Sequence, residues 1–384
     1  MKTRSSIPVS NKETSGSADR FWNPRFWDGV TVGAWYGALK AGHFRFGIHR
    51  VAMGVLISGL SVMNSTLALC QNIFFGRKIR SQELVAPPVF ILGHWRSGTT
   101  LLHEYMILDD RFTTADTYTC FAPSHFIFSG PFLRPFVGLL MPKKRPMDNM
   151  AAGLGRPQED EFALCVLGIP SPYLNILFPN NPPIYPEYLT LRDISDADRQ
   201  KWLDRFHWFL KALTVAHPKR ILLKSPPHTA RIKAILERFP DAKFVYLHRD
   251  PYTLFPSTYN LWMKLSRTHG VQIPRGENLQ EKVFCDFERM DAAYQEDIHL
   301  LRDDQLIDIS FDQLTGAPIE TLQKIYEKLR LGDFDLYRQK FVDFAATQKN
   351  YKKNKFEIAP EIRSEITRRW HGYIERYGYE EPKE

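Results

Sequence analysis

The stretch PVFILGHWRSGTTLL, residues 88–102, carries the strongest structural signal in this sequence. The apolar run Val89–Leu92 predicts a buried β-strand, and Thr99–Asp109 has the spacing of an amphipathic helix. Gly93 and Gly98 lie in the turn between the two. A strand–turn–helix unit of this kind points backbone N–H groups and the positive end of the helix at an anion. The stretch therefore predicts an anion-binding loop.

The loop differs from that of nucleoside-triphosphate hydrolases at one informative position. Its glycines have the spacing of GxxxxGK[ST], but Thr99 replaces the lysine, and a cation, Arg96, lies inside the loop instead. Threonine cannot neutralise β- and γ-phosphates, so the loop suits one phosphate joined to one further group. The candidate binding residues are Arg96, Ser97, Gly98, Thr99 and Thr100. A P-loop nucleotide or small-molecule kinase is the alternative, and the absent lysine argues against it.

A second basic and hydroxyl-bearing group lies within residues 221–260. Lys224 and Arg249 each end a predicted strand. Ser257 follows Arg249 about two turns into a helix that Asp250 is expected to cap. Ligands bind at the carboxyl ends of strands in open α/β sheets, so Arg249 and Ser257 are predicted to contact one phosphate.

Strand and helix patterns alternate from residue 88 onward, which predicts a mostly parallel sheet covered on both faces. The predicted strands are Val89–Leu92, Arg220–Leu223, Lys243–Leu247 and Leu306–Ser310. The predicted helices are Thr99–Asp109, His228–Phe239, Pro251–Arg267 and Ala317–Leu329. We divide the chain into a disordered tail (1–20), an aromatic and apolar helical extension (21–87) and an α/β domain (88–384).

Together these segments resemble the superfamily of sulfotransferases that use 3′-phosphoadenosine 5′-phosphosulfate (PAPS). WRSGTT, residues 95–100, is similar to the family's 5′-phosphosulfate loop in the arginine form of tyrosylprotein and many bacterial enzymes. FVYLHRDP, residues 244–251, together with Ser257, is similar to the 3′-phosphate motif. KSPPH, residues 224–228, resembles the KxP segment whose lysine contacts the transferring sulfuryl group. The likeness is greatest to the bacterial-type group related to tyrosylprotein and heparan sulfotransferases.

The resemblance implies a P-loop-like three-layer sandwich and in-line transfer of a sulfuryl group from PAPS to a hydroxyl or amine acceptor, leaving adenosine 3′,5′-bisphosphate. Such transfer depends on positioning and charge stabilisation. Arg96 and the loop amides would stabilise the leaving 5′-phosphate, and Lys224 the transferring group. No acidic metal-binding pattern follows the predicted strands, so no metal is expected.

An alcohol acceptor must lose its proton, which requires a general base. The best candidates lie in RPQEDEFALCVLG, residues 156–168. Pro157 fits the first position of a helix, which would place Glu159 on an apolar face and ahead of Asp160 and Glu161 as the base. In the alternative, these carboxylates only stabilise the positive end of that helix. Two histidines, His94 and His103, are further candidates.

The basic, aromatic stretch QKNYKKNKFEI, residues 348–358, has two interpretations. It is either a solvated charge run or a lid in which Lys352 and Lys353 contact the 3′-phosphate of the nucleotide or an acidic acceptor.

The composition narrows the partners and the compartment. Fifty-one basic and 43 acidic residues give a net charge of +8, which favours an anionic partner. No RNP, zinc-finger or helix-turn-helix pattern occurs, so no nucleic acid is expected as a partner.

The four cysteines are sparse, and the first twenty residues lack the apolar core of a signal peptide. We therefore expect a cytoplasmic enzyme.

Residues 51–76 contain no Asp, Glu, Lys, Arg or His, and basic residues flank them at Arg50, Arg77, Lys78 and Arg80. The stretch is long enough to span a bilayer, but seven Ser, Thr, Asn and Gln residues interrupt it. A helix pair packed on the core, or lying at a membrane surface as a peripheral contact, needs fewer exceptions. The apolar run 125–141 agrees with an interfacial role. The acceptor is accordingly expected to be bulky, lipid-like or carbohydrate.

Overall fold

A sheet of five parallel strands organises the protein. The computed structural model describes residues 24–140, 153–348 and 358–382. In chain order the strands are β1 (Val89–Leu92), β2 (Phe112–Thr113), β3 (Arg220–Lys224), β4 (Lys243–His248) and β5 (Leu306–Ser310). Their order across the sheet is β2-β3-β1-β4-β5, so the strand that leads into the anion-binding loop lies at the centre.

Helices connect and cover these strands in the part of the chain that the structure describes. The α-helices are α1 (Val32–Ala41), α2 (Val51–Ser81), α3 (Thr99–Met106), α4 (Thr117–Phe121), α5 (Phe126–Leu140), α6 (Asp160–Val166), α7 (Leu174–Leu177), α8 (Asp196–Ala216), α9 (Ile232–Arg238), α10 (Pro251–His269), α11 (Leu279–Asp297), α12 (Phe311–Gly316), α13 (Pro318–Leu329), α14 (Asp335–Gln348), α15 (Pro360–Arg369) and α16 (His371–Tyr377). Short 3₁₀ helices lie at Phe26–Gly29, Ile48–Arg50, Pro186–Leu189, Pro226–Ala230 and Ile298–Leu300.

Alternate side chains of β1 enter two separate apolar clusters. Val89 and Ile91 pack in a cluster that includes residues of α3 and α13, whereas Phe90 and Leu92 pack in one that includes residues of α8, α10 and α11. All four are fully buried, which explains why the strand is a continuous apolar run in the sequence. The sheet is therefore covered on both faces, and the expected three-layer α/β sandwich is confirmed.

The predicted strands agree with the structure to within one residue at each end. The helix expected over His228–Phe239 differs, since its first part is the 3₁₀ turn Pro226–Ala230 and α9 begins only at Ile232. Strand β2 was not predicted, because a pair of residues has no periodicity to detect.

The N-terminal extension packs on the α/β domain through one long helix. Helix α2 is continuous over 31 residues, so the expected helix pair is wrong; the segment contains no proline to break it. Its Asn64 side chain donates hydrogen bonds to the carbonyl oxygens of Asp28 (2.7 Å) and Val30 (3.1 Å). These bonds fix the 3₁₀ turn Phe26–Gly29, which reaches the functional site described below.

Gly29 allows this turn to approach α4 closely. A Cβ atom at Gly29 would lie 1.4 Å from the carbonyl oxygen of Phe121. We expect Gly29→Ala to lower the free energy of unfolding by about 1–3 kcal/mol, because backbone must move to accept the methyl group. Chemical denaturation measures the change.

The matched control is Gly33→Ala in α1, where nothing lies within 4 Å of the added Cβ. It should be neutral or stabilising by up to about 1 kcal/mol, since alanine is the better helix former. Equal stability of the two variants would contradict the close approach at Gly29.

Candidate active site

The loop between β1 and α3 depends on two glycines with positive φ. Gly93 has φ +138°, and a Cβ there would lie 2.5 Å from the carbonyl oxygen of Leu247 in β4. Gly98 has φ +104°, and a Cβ there would lie 2.3 Å from the Phe311 ring. Only glycine fits such backbone without strain. Between them Arg96 also has positive φ, +71°, which is uncommon for a residue with a side chain.

Hydrogen bonds from neighbouring elements hold the loop. The N–H of Gly93 donates to Thr229 Oγ1 (2.8 Å), and Thr258 Oγ1 donates to the carbonyl of Trp95 (3.1 Å). Ser97 Oγ is buried and has no hydrogen-bond partner among the described residues. Thr99 and Thr100 follow in the first turn of α3. An unpartnered hydroxyl beside a helix N-terminus is a suitable environment for a bound anion.

The two predicted anion-binding groups are contiguous. Arg96 Nε donates to Ser257 Oγ (2.9 Å), and Arg249 Nη1 donates to the carbonyl of Arg96 (2.8 Å). The Arg249 guanidinium also lies 4.2 Å from the centroid of the Phe311 ring, the ring that packs on Gly98. The groups meet because β1 and β4 are neighbours and both turns leave the carboxyl edge of the sheet.

The C-terminal helix positions Arg249. The hydroxyl of Tyr373 in α16 accepts from the Arg249 N–H (3.0 Å) and donates to the Arg249 carbonyl (2.9 Å). The Tyr377 ring stacks on His248, with centroids 3.9 Å apart. Sequence analysis did not find these contacts, because they join segments that are distant along the chain.

Lys224 ends β3 in a hydrogen-bonded chain of side chains. Its Nζ donates to Glu159 Oε1 (2.7 Å), and the Tyr173 hydroxyl donates to Glu159 Oε2 in a short contact. Trp95 Nε1 in turn donates to the Tyr173 oxygen (2.8 Å). Burial raises the pKa of Tyr173 well above its usual value, and the Glu159 charge raises it further, so the phenol stays protonated. The chain thus connects the anion-binding loop to one carboxylate.

Glu159 lines a narrow apolar pocket. The cavity has a volume of about 30 Å³ and is lined by Phe26, Trp95, Gln158, Glu159, Phe162, Tyr173, Leu261 and Leu265. Phe26, from the N-terminal extension, stacks on Phe162 with centroids 3.8 Å apart. The site therefore combines one carboxylate with aromatic and aliphatic walls, and the extension supplies one of these walls.

Asp160 and Glu161 do not reach this pocket. Asp160 accepts from Ser225 Oγ (2.8 Å) and His228 Nε2 (2.6 Å), while Glu161 accepts from Ser171 Oγ (2.6 Å) and pairs with Arg231. Burial alone would raise the pKa of Asp160, but the His228 and Ser225 contacts lower it, so it remains ionised. Both carboxylates are fully buried. They hold α6 against the elements around β3.

The start of this helix also differs from the expectation. Helix α6 begins at Asp160, and Glu159 is its N-cap residue, so the prediction of Pro157 at the first helical position is wrong. Pro157 instead forms an isolated antiparallel bridge with Asp116. Because the helix begins three residues later than expected, Glu159 lies outside it, and its side chain is hydrogen-bonded to Lys224.

The candidate histidines are poor bases. Burial lowers the pKa of His94 and of His103 to about 3 in each case. His103 is fully buried and bonds to Thr114 Oγ1 (2.8 Å), while His94 Nδ1 lies 3.0 Å from the carbonyl of Trp95. Lys352 and Lys353 lie outside the described residues. Within the described ranges no group of three His, Cys, Asp or Glu side chains is arranged to hold a metal ion.

Comparison with known proteins identifies the class. Residues 184–335 match the model of the sulfotransferase family. The chain is 39% identical over 361 residues to omega-hydroxy-beta-dihydromenaquinone-9 sulfotransferase Stf3 of Mycobacterium bovis and of Mycobacterium tuberculosis, covering 94% of this chain and 93% of each relative. This protein belongs to the sulfotransferase family. It is an enzyme, and sulfuryl transfer is the reaction of its family, so the kinase alternative is set aside.

Solved structures show the same fold. Sulfotransferase STF9 of Mycobacterium avium superposes with a TM-score of 0.67 and 16% identity, over 92% of this chain and 94% of that one. STF1 of Mycobacterium tuberculosis H37Rv gives a TM-score of 0.61 and 16% identity, over 88% and 90%. The coverage includes most of the N-terminal extension as well as the α/β domain.

The buried pair behind the pocket allows a test of the role of Glu161. We expect Arg231→Met to lower the free energy of unfolding by about 3–5 kcal/mol, because it leaves a fully buried carboxylate without its partner. The double variant Arg231→Met/Glu161→Met should recover most of that loss, since no unpaired charge remains. Urea denaturation of both variants measures the difference. A single variant as stable as the parent would show that the pair does not hold a buried charge.

Proposed function

We propose that this protein transfers the sulfuryl group of PAPS to the hydroxyl group of a lipid-like acceptor, with Glu159 as the general base. The single observation that carries the proposal is the 2.7 Å contact between Lys224 and Glu159. Glu159 lines the apolar pocket and connects through Tyr173 to Trp95 of the anion-binding loop, while Lys224 ends the strand next to the one that leads into that loop.

The residues of the loop fit the donor. Ser97 Oγ is a buried hydroxyl without a partner among the described residues, and it lies beside the N-terminus of α3. Arg96 with Ser97–Thr100 would hold the 5′-phosphosulfate, while Arg249 and Ser257 would hold the 3′-phosphate. When bound, PAPS supplies an activated sulfuryl group on a phosphate leaving group. Sulfotransferases as a family use this donor, and the chemistry of this donor set agrees with it.

Glu159 is suited to remove the proton of the acceptor. Its two oxygens each accept one hydrogen bond, from Lys224 and from Tyr173, which orients the carboxylate while one edge lines the pocket. A hydroxyl group that enters the pocket meets this carboxylate and loses its proton as the new bond to sulfur forms. Lys224 has three N–H donors, so it can contact both Glu159 and the anionic oxygens at the reacting centre.

The pocket walls favour a lipid-like acceptor over a carbohydrate. Of its lining residues, Phe26, Phe162, Leu261 and Leu265 offer no polar group to a sugar hydroxyl. Gln158 and Glu159 offer polar groups on one side only, so a sugar hydroxyl buried against these four residues would lack a hydrogen bond, which is unfavourable. A 39% identical relative is named for an omega-hydroxy menaquinone derivative, which is a lipid-like alcohol. An amine acceptor has no comparable support.

The cytoplasm remains the proposed compartment. Its support is that the four cysteines are all free thiols, of which Cys120 and Cys165 are buried.

Nucleotide binding distinguishes this proposal from other uses of the loop. Adenosine 3′,5′-bisphosphate should raise the melting temperature, and ATP should not, because only the former offers a 3′-phosphate to Arg249. At one hundred times Kd the stabilisation is about 2.7 kcal/mol. Arg249→Ala should lose the shift, while Arg302→Ala, an exposed arginine elsewhere, should keep it. A shift by ATP alone would refute the donor assignment.

Single-turnover kinetics test the chemical roles. With PAPS and a long-chain primary alcohol, Glu159→Gln should lower the rate by about 10²–10⁴-fold, the usual contribution of a general base. Lys224→Ala should also lose turnover. Both variants should keep the thermal shift with adenosine 3′,5′-bisphosphate. Lost nucleotide binding with an unchanged single-turnover rate would contradict the role given to Lys224.

Tyr173 acts through Glu159 and is therefore a positioning residue. Tyr173→Phe removes one of the two hydrogen bonds that orient the Glu159 carboxylate, so the single-turnover rate should fall while the thermal shift with adenosine 3′,5′-bisphosphate stays unchanged. Tyr188→Phe is the control, since its hydroxyl makes no hydrogen bond with the described residues. An unchanged single-turnover rate would contradict the positioning role of Tyr173.

A further inference from the structure

The outward side of α2 is mostly apolar and carries no charge over residues 51–76. Between Val51 and Gly76 the exposed side chains include no acidic or basic residue. Eight large apolar side chains on this side are 40–68% exposed: Val51, Val55, Leu56, Val62, Met63, Leu69, Ile73 and Phe74. Val55, Val62 and Leu69 follow one another at seven-residue intervals, which places them along one line of the helix. A surface helix in water has the opposite pattern.

The inward side of the same helix carries polar residues beside the buried Met53, Ile57 and Ile79. Ser61, Asn64 and Gln71 are buried, with 1–3% exposure. Besides the contacts of Asn64 with the turn at residues 26–29, Gln71 Nε2 donates to the Ser124 carbonyl (3.0 Å) and its Oε1 accepts from the Ile127 N–H (2.9 Å). Three of the seven polar residues that interrupt the stretch therefore point into the protein, whereas Ser58, Thr66 and Asn72 are exposed beside the larger apolar side chains.

Neighbouring helices widen this apolar side. On α5, Phe132, Phe136 and Leu139 are 44–84% exposed, and the Phe128 ring bridges Phe132 and Phe74 with centroid distances of 5.6 Å to each. On α1, Tyr36 is 60% exposed, and Trp35 Nε1 donates to Ser58 Oγ of α2 (2.9 Å). We call these exposed residues of α1, α2 and α5 the apolar face.

Basic residues stand at both ends of the apolar face. Lys40 and Arg45 lie before α2, and Arg77, Lys78 and Arg80 lie in its last turns. All are exposed, and none forms an ion pair with a described residue. Cations that flank an apolar surface are placed to contact the anionic headgroups of a lipid bilayer, whose acyl region would cover the surface itself.

The packing of α2 determines how it can meet a bilayer. By length and composition the helix from Ile48 to Ser81 could cross a membrane. However, buried residues recur along its whole length, from Met53 through Ile57 and Asn64 to Ile79. A helix of about 46 Å that is attached to the folded body along one side cannot cross while the body stays in water.

We propose that the apolar face inserts into one leaflet of an anionic bilayer, with the axis of α2 parallel to the membrane plane. The proposal deepens the proposed function, since Asn64 of α2 holds the turn whose Phe26 lines the acceptor pocket. Docking in this orientation would bring the pocket next to the membrane that holds a lipid-like acceptor.

Vesicle sedimentation tests the surface without donor or acceptor. The full chain should sediment with vesicles of phosphatidylcholine and phosphatidylglycerol, and more weakly with phosphatidylcholine alone. Val62→Glu/Leu69→Glu should bind at least about tenfold more weakly, because charges would enter the acyl region. The control is Leu336→Glu on α14, which is 69% exposed but outside the apolar face and should bind normally. Unchanged thermal shifts with adenosine 3′,5′-bisphosphate show that the variants fold.

Depth measurements test the orientation. In a chain whose half-buried cysteines Cys70 and Cys285 are replaced by alanine, spin labels at positions 55, 62 and 69 should report equal, shallow depths. A label at 62 that is much deeper than the other two would indicate a spanning helix and overturn the proposal.

Two further results would overturn it. One is a full chain that does not sediment with either vesicle. The other is a dimer, in the absence of lipid, that Val62→Glu/Leu69→Glu dissociates, since a second copy would then cover the apolar face. Loss of sulfuryl transfer with normal sedimentation would instead refute the proposed function alone.

Discussion

The contact between Lys224 and Glu159 is the constraint on which the site depends. Lys224 is 2% exposed, and burial of an ammonium is costly unless a charge is paired with it, so the Glu159 carboxylate stabilises the lysine that ends β3. The isolated bridge between Pro157 and Asp116 delays the start of α6, which leaves Glu159 as its N-cap residue and free to face the lysine. Behind it, Asp160 and Glu161 are tied to His228 and Arg231, which fixes the direction of the helix.

Features that short stretches of chain determine were predictable. The strand–turn–helix unit at residues 88–102, the Asp250 cap and the central strands depend on apolar runs, glycines and capping residues that are neighbours in sequence. The Arg96–Ser257 bond joins residues 161 apart, and the Tyr173–Glu159 bond crosses between two short elements with no shared periodicity. Such contacts arise from packing of the whole domain, so no local pattern indicates them.

Helix α2 shows where a sequence signal existed but could not be interpreted. Ser61, Asn64 and Gln71 are spaced by three and seven residues, so they necessarily share one side of a helix. The sequence does not show which side of the helix packs on the protein. A hydropathy scale counts the three residues only as polar interruptions of an apolar segment. In the structure Asn64 bonds to Asp28 and Val30 within the extension, whereas Gln71 bonds to Ser124 and so helps to attach the extension to the α/β domain.

Under the proposed function, Phe26 gives the N-terminal extension a part in acceptor specificity as well as in attachment. The donor loop belongs wholly to the α/β domain, whereas the aromatic wall opposite Phe162 arrives from outside it. Evolution can therefore change which alcohol the enzyme accepts through substitutions in the short segment around Phe26, without altering the residues proposed to bind the nucleotide.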